Sequence, residues 1–308
     1  MSPRIPQSTA RSPVHDPTDP HPNHSEPALH RGRRPRRGRD HPWPGRTDRL
    51  GQSHWRIGEQ PPCEDRIGAD PPPPLFPSTQ VADTATDVAA QQKQASSLIH
   101  EWVAAHGTKK DDKAFVTWIE QVFPPPPADL TAQMPAVVAL DKRRTATGVA
   151  AATWLESYGK KDIWKLYVHD QREVLAPSTG DDRKAEEKAL LKMSKKVADD
   201  LGTKFGSSAP YVRMPSLRKD HTVKSGQKCP CSYPSRHAAG AASSRTVLAT
   251  MMPERETQYR ATEAQIDYSR VYMAGHYPGD IRAGALLGDV IGDYFLITRN
   301  GVDPGQLV

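Results

Sequence analysis

Residues 269–280 read SRVYMAGHYPGD, from Ser269 to Asp280. They join two long runs with helical spacing of apolar residues, about 254–274 and 280–297. Pro278 favours a helix start, and an acid at Asp280 suits the positive end of the helix dipole. His276 and Asp280 lie four residues apart, so a carboxylate can hold one imidazole nitrogen and raise the basicity of the other. Arg270 adds a planar fork of donors suited to phosphate or a similar oxyanion.

Upstream, Tyr233–Ala242 reads YPSRHAAGAA and repeats the device. Ser235 is suited to cap a helix over about 236–251, leaving the first backbone N–H groups aimed out of the helix start, where they favour an anion. His237 then sits on the first turn beside that anion.

Further upstream the pattern stays helical. Val88, Leu98, Ile99, Trp102 and Val103 recur at helical spacing up to His106-Gly107. Phe115, Trp118, Ile119 and Val122 share one face of a segment that starts near Asp112 and stops at Pro124–Pro127. Ala136, Val137, Leu140, Val149, Trp154 and Leu155 predict a third helix, and 162–174 a fourth, with Ile163, Leu166 and Tyr167 inward. Residues 181–201 predict a fifth, with acid at its start, base near its end and Gly202 after it. A loop carrying Pro210, Pro215, Gly226 and Pro230 follows. No pair of alternating segments with a hairpin signal occurs, so the fold expected is an all-α bundle. Trp102, Trp118, Trp154 and Trp164 are expected in its core.

These motifs resemble those of the type-2 phosphatidic acid phosphatase and vanadium haloperoxidase superfamily, whose signatures are K-x₆-R-P, P-S-G-H and S-R-x₅-H-x₃-D. Ser269, Arg270, His276 and Asp280 match the third in full. Pro234, Ser235 and His237 match the second, with Arg236 in place of Gly. The first is the most altered: Arg213-Met214-Pro215 replaces Arg-Pro, and the nearest upstream lysine, Lys204, is separated from Arg213 by eight residues instead of six. The resemblance covers about residues 200–297.

It implies a helical bundle of the acid phosphatase and haloperoxidase type and a soluble phosphatase acting on phosphate monoesters, lipid phosphates or diphosphates. In that reading His276 attacks phosphorus to form a phosphohistidine, Asp280 orients it, and His237 protonates the leaving alcohol. Arg270, Arg213, Ser235, Arg236 and Lys204 would hold the phosphate oxygens, and no metal is required. One alternative is a haloperoxidase with vanadate bound at the same site. Another is a catalytically weak member that only binds an anion. Phosphatase is the reading preferred here.

The rest of the chain has a different composition. Of 308 residues 30 are Pro, and 17 of these fall in residues 1–77, together with 12 Arg, 6 of the 12 His and no Lys. Such a segment buries too little surface to offset its ordering entropy, so residues 1–77 are expected to be a disordered arm. Its composition is also what translation of GC-rich DNA upstream of a true start gives. The expected folded domain is 78–300, with a tail at 301–308. The arm carries 12 Arg against 9 acids, or +3 of the formal +6. Arg31–Arg39 (RGRRPRRGR) lacks the aromatic interleaving of a nucleic-acid surface, and no nucleic-acid partner is expected. The basic loop 218–228 has two readings, a face toward an acidic substrate or a solvated surface, and the second is preferred.

A mean hydropathy of −0.69 and the absence of an apolar run near ~20 residues predict no membrane span. No signal-peptide pattern follows the Arg cluster, so the default expectation is a cytoplasmic protein. Neither oligomeric state nor substrate identity has a sequence signature. Cys229 and Cys231, one residue apart, are expected to be reduced thiols, since their spacing with His221 and His237 is not that of a zinc site.

Overall fold

The computed structural model describes residues 73, 75–174, 177–226 and 229–307. The expected arm, including Arg31–Arg39 and Cys63, therefore lies outside the described residues apart from its last few. Ahead of the first helix Phe76 is already buried, against Tyr268 and Tyr272, and its backbone N–H donates to Gln265 Oε1 at 3.0 Å.

The described residues form helices and no strand; one isolated bridge joins Ser208 to Cys231. The helices are α1 (Ser78–Ala89), α2 (Gln92–His106), α3 (Asp112–Val122), α4 (Met134–Asp141), α5 (Ala146–Tyr158), α6 (Asp162–Val174), α7 (Pro177–Phe205), α8 (Pro210–Arg213), α9 (Arg236–Met251), α10 (Glu256–Tyr272) and α11 (Pro278–Asn300). None of them is long and apolar enough to cross a membrane.

Local chemistry explains most boundaries. Gly107 ends α2 with φ 75°, and Asp111 caps α3 by accepting from the Ala114 N–H at 2.9 Å. Several details differ from the sequence reading: the first segment, read as one helix up to His106, is α1 and α2, and α7 starts at Pro177 and not at 181. The single helix expected over Ala136–Leu155 is two, because Thr145 starts a new one by accepting from the Gly148 N–H at 3.0 Å. Val122 is exposed; the chain turns extended at Phe123, which takes the buried place instead. α7 runs past Gly202 to Phe205 and ends where Gly206 adopts φ 63°. Cys229 and Cys231 are joined as a disulfide, with their Cα atoms 4.3 Å apart, which corrects the expectation of two free thiols.

α9 lies at the centre. His237 through Leu248 are all buried, which suits a run of Ala, Gly and Ser that leaves neighbours close on every side. α11 packs along it through Gly284, Gly288 and Gly292, spaced four apart on one face. A Cβ at Gly284 would lie 2.6 Å from the Ala238 Cβ, and one at Gly288 would lie 2.7 Å from the Ala242 Cβ. Only a helix without side chains there can approach so closely. Around this pair, α2, α3 and α7 build one apolar cluster with α11, containing Trp102, Phe115, Ile119, Leu201 and Tyr294. α5, α6 and α10 build another, containing Trp154, Trp164, Tyr167, Tyr259 and Ile266. Three of the four core tryptophans are buried, and Trp118 is partly so.

Candidate active site

The glycine-mediated approach brings the starts of α9 and α11 together. The backbone N–H of Ser235 donates to the carbonyl of Asp280 at 2.9 Å, so the two sequence motifs are joined by a main-chain bond. Ser235 is fully buried and caps α9, its hydroxyl accepting from the Ala238 N–H at 3.3 Å. The first N–H groups of α9 have no acceptor within the helix and point out of its start. At the other helix, Asp280 Oδ2 accepts from the Tyr277 N–H at 2.8 Å and holds the first turn of α11.

His276 lies on the short connection between α10 and α11. Its Nδ1 is 2.8 Å from the carbonyl oxygen of Ser232 and 3.9 Å from Asp280 Oδ2. A carbonyl only accepts, so the proton sits on Nδ1 and Nε2 keeps its lone pair. Burial, with the Arg270 charge added, pushes the imidazole pKa down to about 3. The nucleophile candidate is thus neutral and the right nitrogen is bare. The orienting contact expected from Asp280 belongs mainly to the Ser232 carbonyl, which spacing alone does not reveal. Burial pushes Asp280 itself up to about 7, against the Tyr277 N–H and the Ser232 hydroxyl, which favour its charged form.

His237 is buried on the first turn of α9, with Nε2 3.1 Å from the carbonyl of Glu156 on α5. By the same logic its proton is on Nε2. Desolvation first, then the positive charge of Arg270, hold its pKa well below the usual imidazole range.

Arg270 is buried, and its Nη2 lies 3.3 Å from Glu156 Oε1. Its Nε and Nη1 are buried with no hydrogen-bond partner among the described residues. Gly275 lines the guanidinium, since a Cβ there would stand 3.4 Å from Nη2. A second arginine is also buried here: Arg218, whose Nη1 is 4.0 Å from Glu156 Oε2. Its Nε and Nη2 each donate to Asp220 at 3.1 Å, and it lies 5.9 Å from the centre of the Tyr211 ring. These hydrogen bonds, and then the Arg218 charge, hold the Asp220 carboxyl down to about 2.

Two of the expected phosphate ligands, Arg213 and Lys204, are exposed. Arg213, on the last turn of α8, is exposed. Lys204 is exposed at the end of α7, where its Nζ donates to the Glu120 carbonyl at 2.6 Å and lies over the Phe205 ring. The turn Pro215–Arg218 drives Arg218 inward instead. Arg218 follows Tyr211 by seven residues, the offset of the Lys–Arg pair in the first signature, with Tyr in place of Lys and Lys219 in place of Pro. That spacing was the available signal; the sequence reading placed Arg218 only in a basic loop, with the solvated surface preferred over a face toward substrate. Arg236, in place of Gly, points outward to Asp199 Oδ1 at 3.4 Å, while its charge still lowers the pKa of both histidines.

No protein-family model and no curated protein matches the chain. The site brings together two histidines, two buried arginines, an open helix start and the partly exposed acid Glu156.

Proposed function

We propose that this chain is a phosphatase that hydrolyses phosphate monoesters through a phosphohistidine at His276. The observation that carries this reading is the pair of buried, unpartnered donors on Arg270 beside a histidine whose Nε2 is bare. Leaving a buried guanidinium short of acceptors costs free energy that a bound oxyanion recovers. The match of Ser269, Arg270, His276 and Asp280 to the phosphatase and haloperoxidase signature supports the same assignment.

In this mechanism the Nε2 lone pair of His276 forms a bond to phosphorus while the bond from phosphorus to the ester oxygen breaks. Arg270, Arg218 and the N–H groups at the start of α9 take the charge that builds on the equatorial oxygens. His237 gives a proton to the departing alcohol oxygen. Desolvation first and the Arg270 charge second hold the free ring neutral; an incoming phosphate dianion offsets the Arg270 charge and adds a negative partner that favours the protonated ring. In the second half, water attacks phosphorus, His237 takes a proton from it, the N–P bond breaks and inorganic phosphate leaves.

The haloperoxidase alternative needs a cation to polarise bound peroxide, and Lys204 is engaged with the Glu120 carbonyl instead. Phosphatase is accordingly the stronger reading. Assaying phosphate release from p-nitrophenyl phosphate beside bromide oxidation by hydrogen peroxide after vanadate loading separates the two. Phosphate release without halide oxidation is the expected result; vanadate-dependent halide oxidation with no phosphate release overturns it.

A further inference from the structure

Glu156 is the residue that the sequence motifs do not account for. It lies near the end of α5, far from both motifs in sequence, yet it touches three members of the site. Its Oε1 is 3.3 Å from Arg270 Nη2, its Oε2 is 4.0 Å from Arg218 Nη1, and its backbone carbonyl accepts from His237 Nε2 at 3.1 Å. The two arginine side chains are 4% and 6% exposed, whereas the Glu156 side chain is 37% exposed. The carboxylate is thus the solvent-exposed member of the cluster and contacts both buried cations.

We propose that the Glu156 carboxylate is a built-in competitor for the oxyanion: it occupies the arginines in the free protein and withdraws to solvent when substrate phosphate binds. This rests on the oxyanion-site reading given above and adds a regulatory residue to it. The carboxylate is a poor substitute for the ligand. It approaches Arg270 through one nitrogen and leaves Nε and Nη1 without acceptors, while a phosphoryl group brings three oxygens to the same place. Withdrawal costs little, because the side chain is already partly in water and long enough to rotate there. Its backbone carbonyl stays on His237, so the acid can leave the arginines without releasing the imidazole. The arrangement keeps Arg270 paired with Glu156 between turnovers, while Asp220 pairs with Arg218, and sets a threshold that weakly held anions do not pass.

Isothermal titration of the full chain with inorganic phosphate tests this. Glu156→Gln keeps the shape and removes the charge, and should bind phosphate about tenfold more tightly than the wild type, equivalent to ~1.4 kcal/mol. Glu156→Asp keeps the charge but draws it back by one methylene, and should fall between the two. If wild type and both variants bind phosphate equally, or the variants bind it more weakly, Glu156 is not a competitor and the proposal fails. If none of the three binds phosphate or vanadate, the oxyanion-site reading itself fails and this proposal with it.

Discussion

The Nδ1 of His276 is held by the carbonyl oxygen of Ser232 at 2.8 Å, more than an ångström closer than the Asp280 carboxylate at 3.9 Å. Two residues thus divide work that the motif spacing assigns to one. Ser232 fixes the tautomer, and Asp280 fixes the turn that carries the histidine by capping the Tyr277 N–H.

From this division Asp280→Asn should retain the tautomer. The variant keeps an oxygen that accepts from the Tyr277 N–H and removes a carboxylate that burial disfavours, so its stability should change by less than about 1 kcal/mol. It should lose about tenfold in kcat, a barrier change near 1.4 kcal/mol. Urea unfolding and steady-state kinetics with p-nitrophenyl phosphate measure the two effects. A loss in Asp280→Asn as deep as that of a His276 deletion would return the orienting role to the carboxylate.

Arg218 and Arg213 offer a direct contrast. Arg218 is buried against the site and Arg213 is exposed on α8. Arg218→Ala should lower kcat/KM by about 100-fold, the cost of removing one charged donor from a buried oxyanion site. Arg213→Ala should change it by less than about twofold, as surface changes usually do. The reverse order would put the first-signature arginine back at position 213.

The pH dependence of stability follows from the buried acids. Burial pushes Glu187 and Asp280 up to about 7 and Asp289 up to about 6, and it raises Asp267 and Asp293 well above the usual carboxylate range. Each binds a proton more readily in the folded chain, so its stabilising contribution is complete below pH ~4 and is lost as pH rises through its folded pKa. His237 and His276, both lowered, act in the opposite sense, but only as pH falls below the ordinary imidazole value near 6.5. Above that pH the acids alone set the slope. The Tm should fall between pH 6.5 and 8, and Asp267→Asn should flatten the fall, since both Asp267 oxygens are buried without a partner. Differential scanning calorimetry reads both; a Tm that rises over this interval contradicts the account.

The periodic segments were the legible part of the fold. The bounds 162–174 for α6 and 236–251 for α9 follow from apolar spacing and a serine cap, and the helices match them. The break between α4 and α5 was hidden because apolar spacing continues across it, and only the Thr145 cap marks the restart. At the site, His276, His237 and Arg270 come together as their motifs suggest, since short local segments place them at adjoining helix ends. Ser232 acts through a backbone carbonyl, which any residue could supply, so no side-chain pattern announces it. Glu156 reaches Arg270 from a helix more than a hundred residues upstream, and only tertiary packing reveals that contact. Lys204 looked attractive by proximity in sequence, but the extra length of α7 carries it toward α3 and the Glu120 carbonyl.

The central claim is that His276 becomes covalently phosphorylated. The direct measurement is acid-free rapid quench of the full chain with ³²P-labelled phosphomonoester, followed by peptide mapping of the alkali-stable label. The account predicts label on the peptide containing His276, a burst of alcohol release that matches it, and loss of both label and turnover by at least about 1,000-fold in His276→Ala. Full turnover in that variant, or label on any other residue, would contradict it.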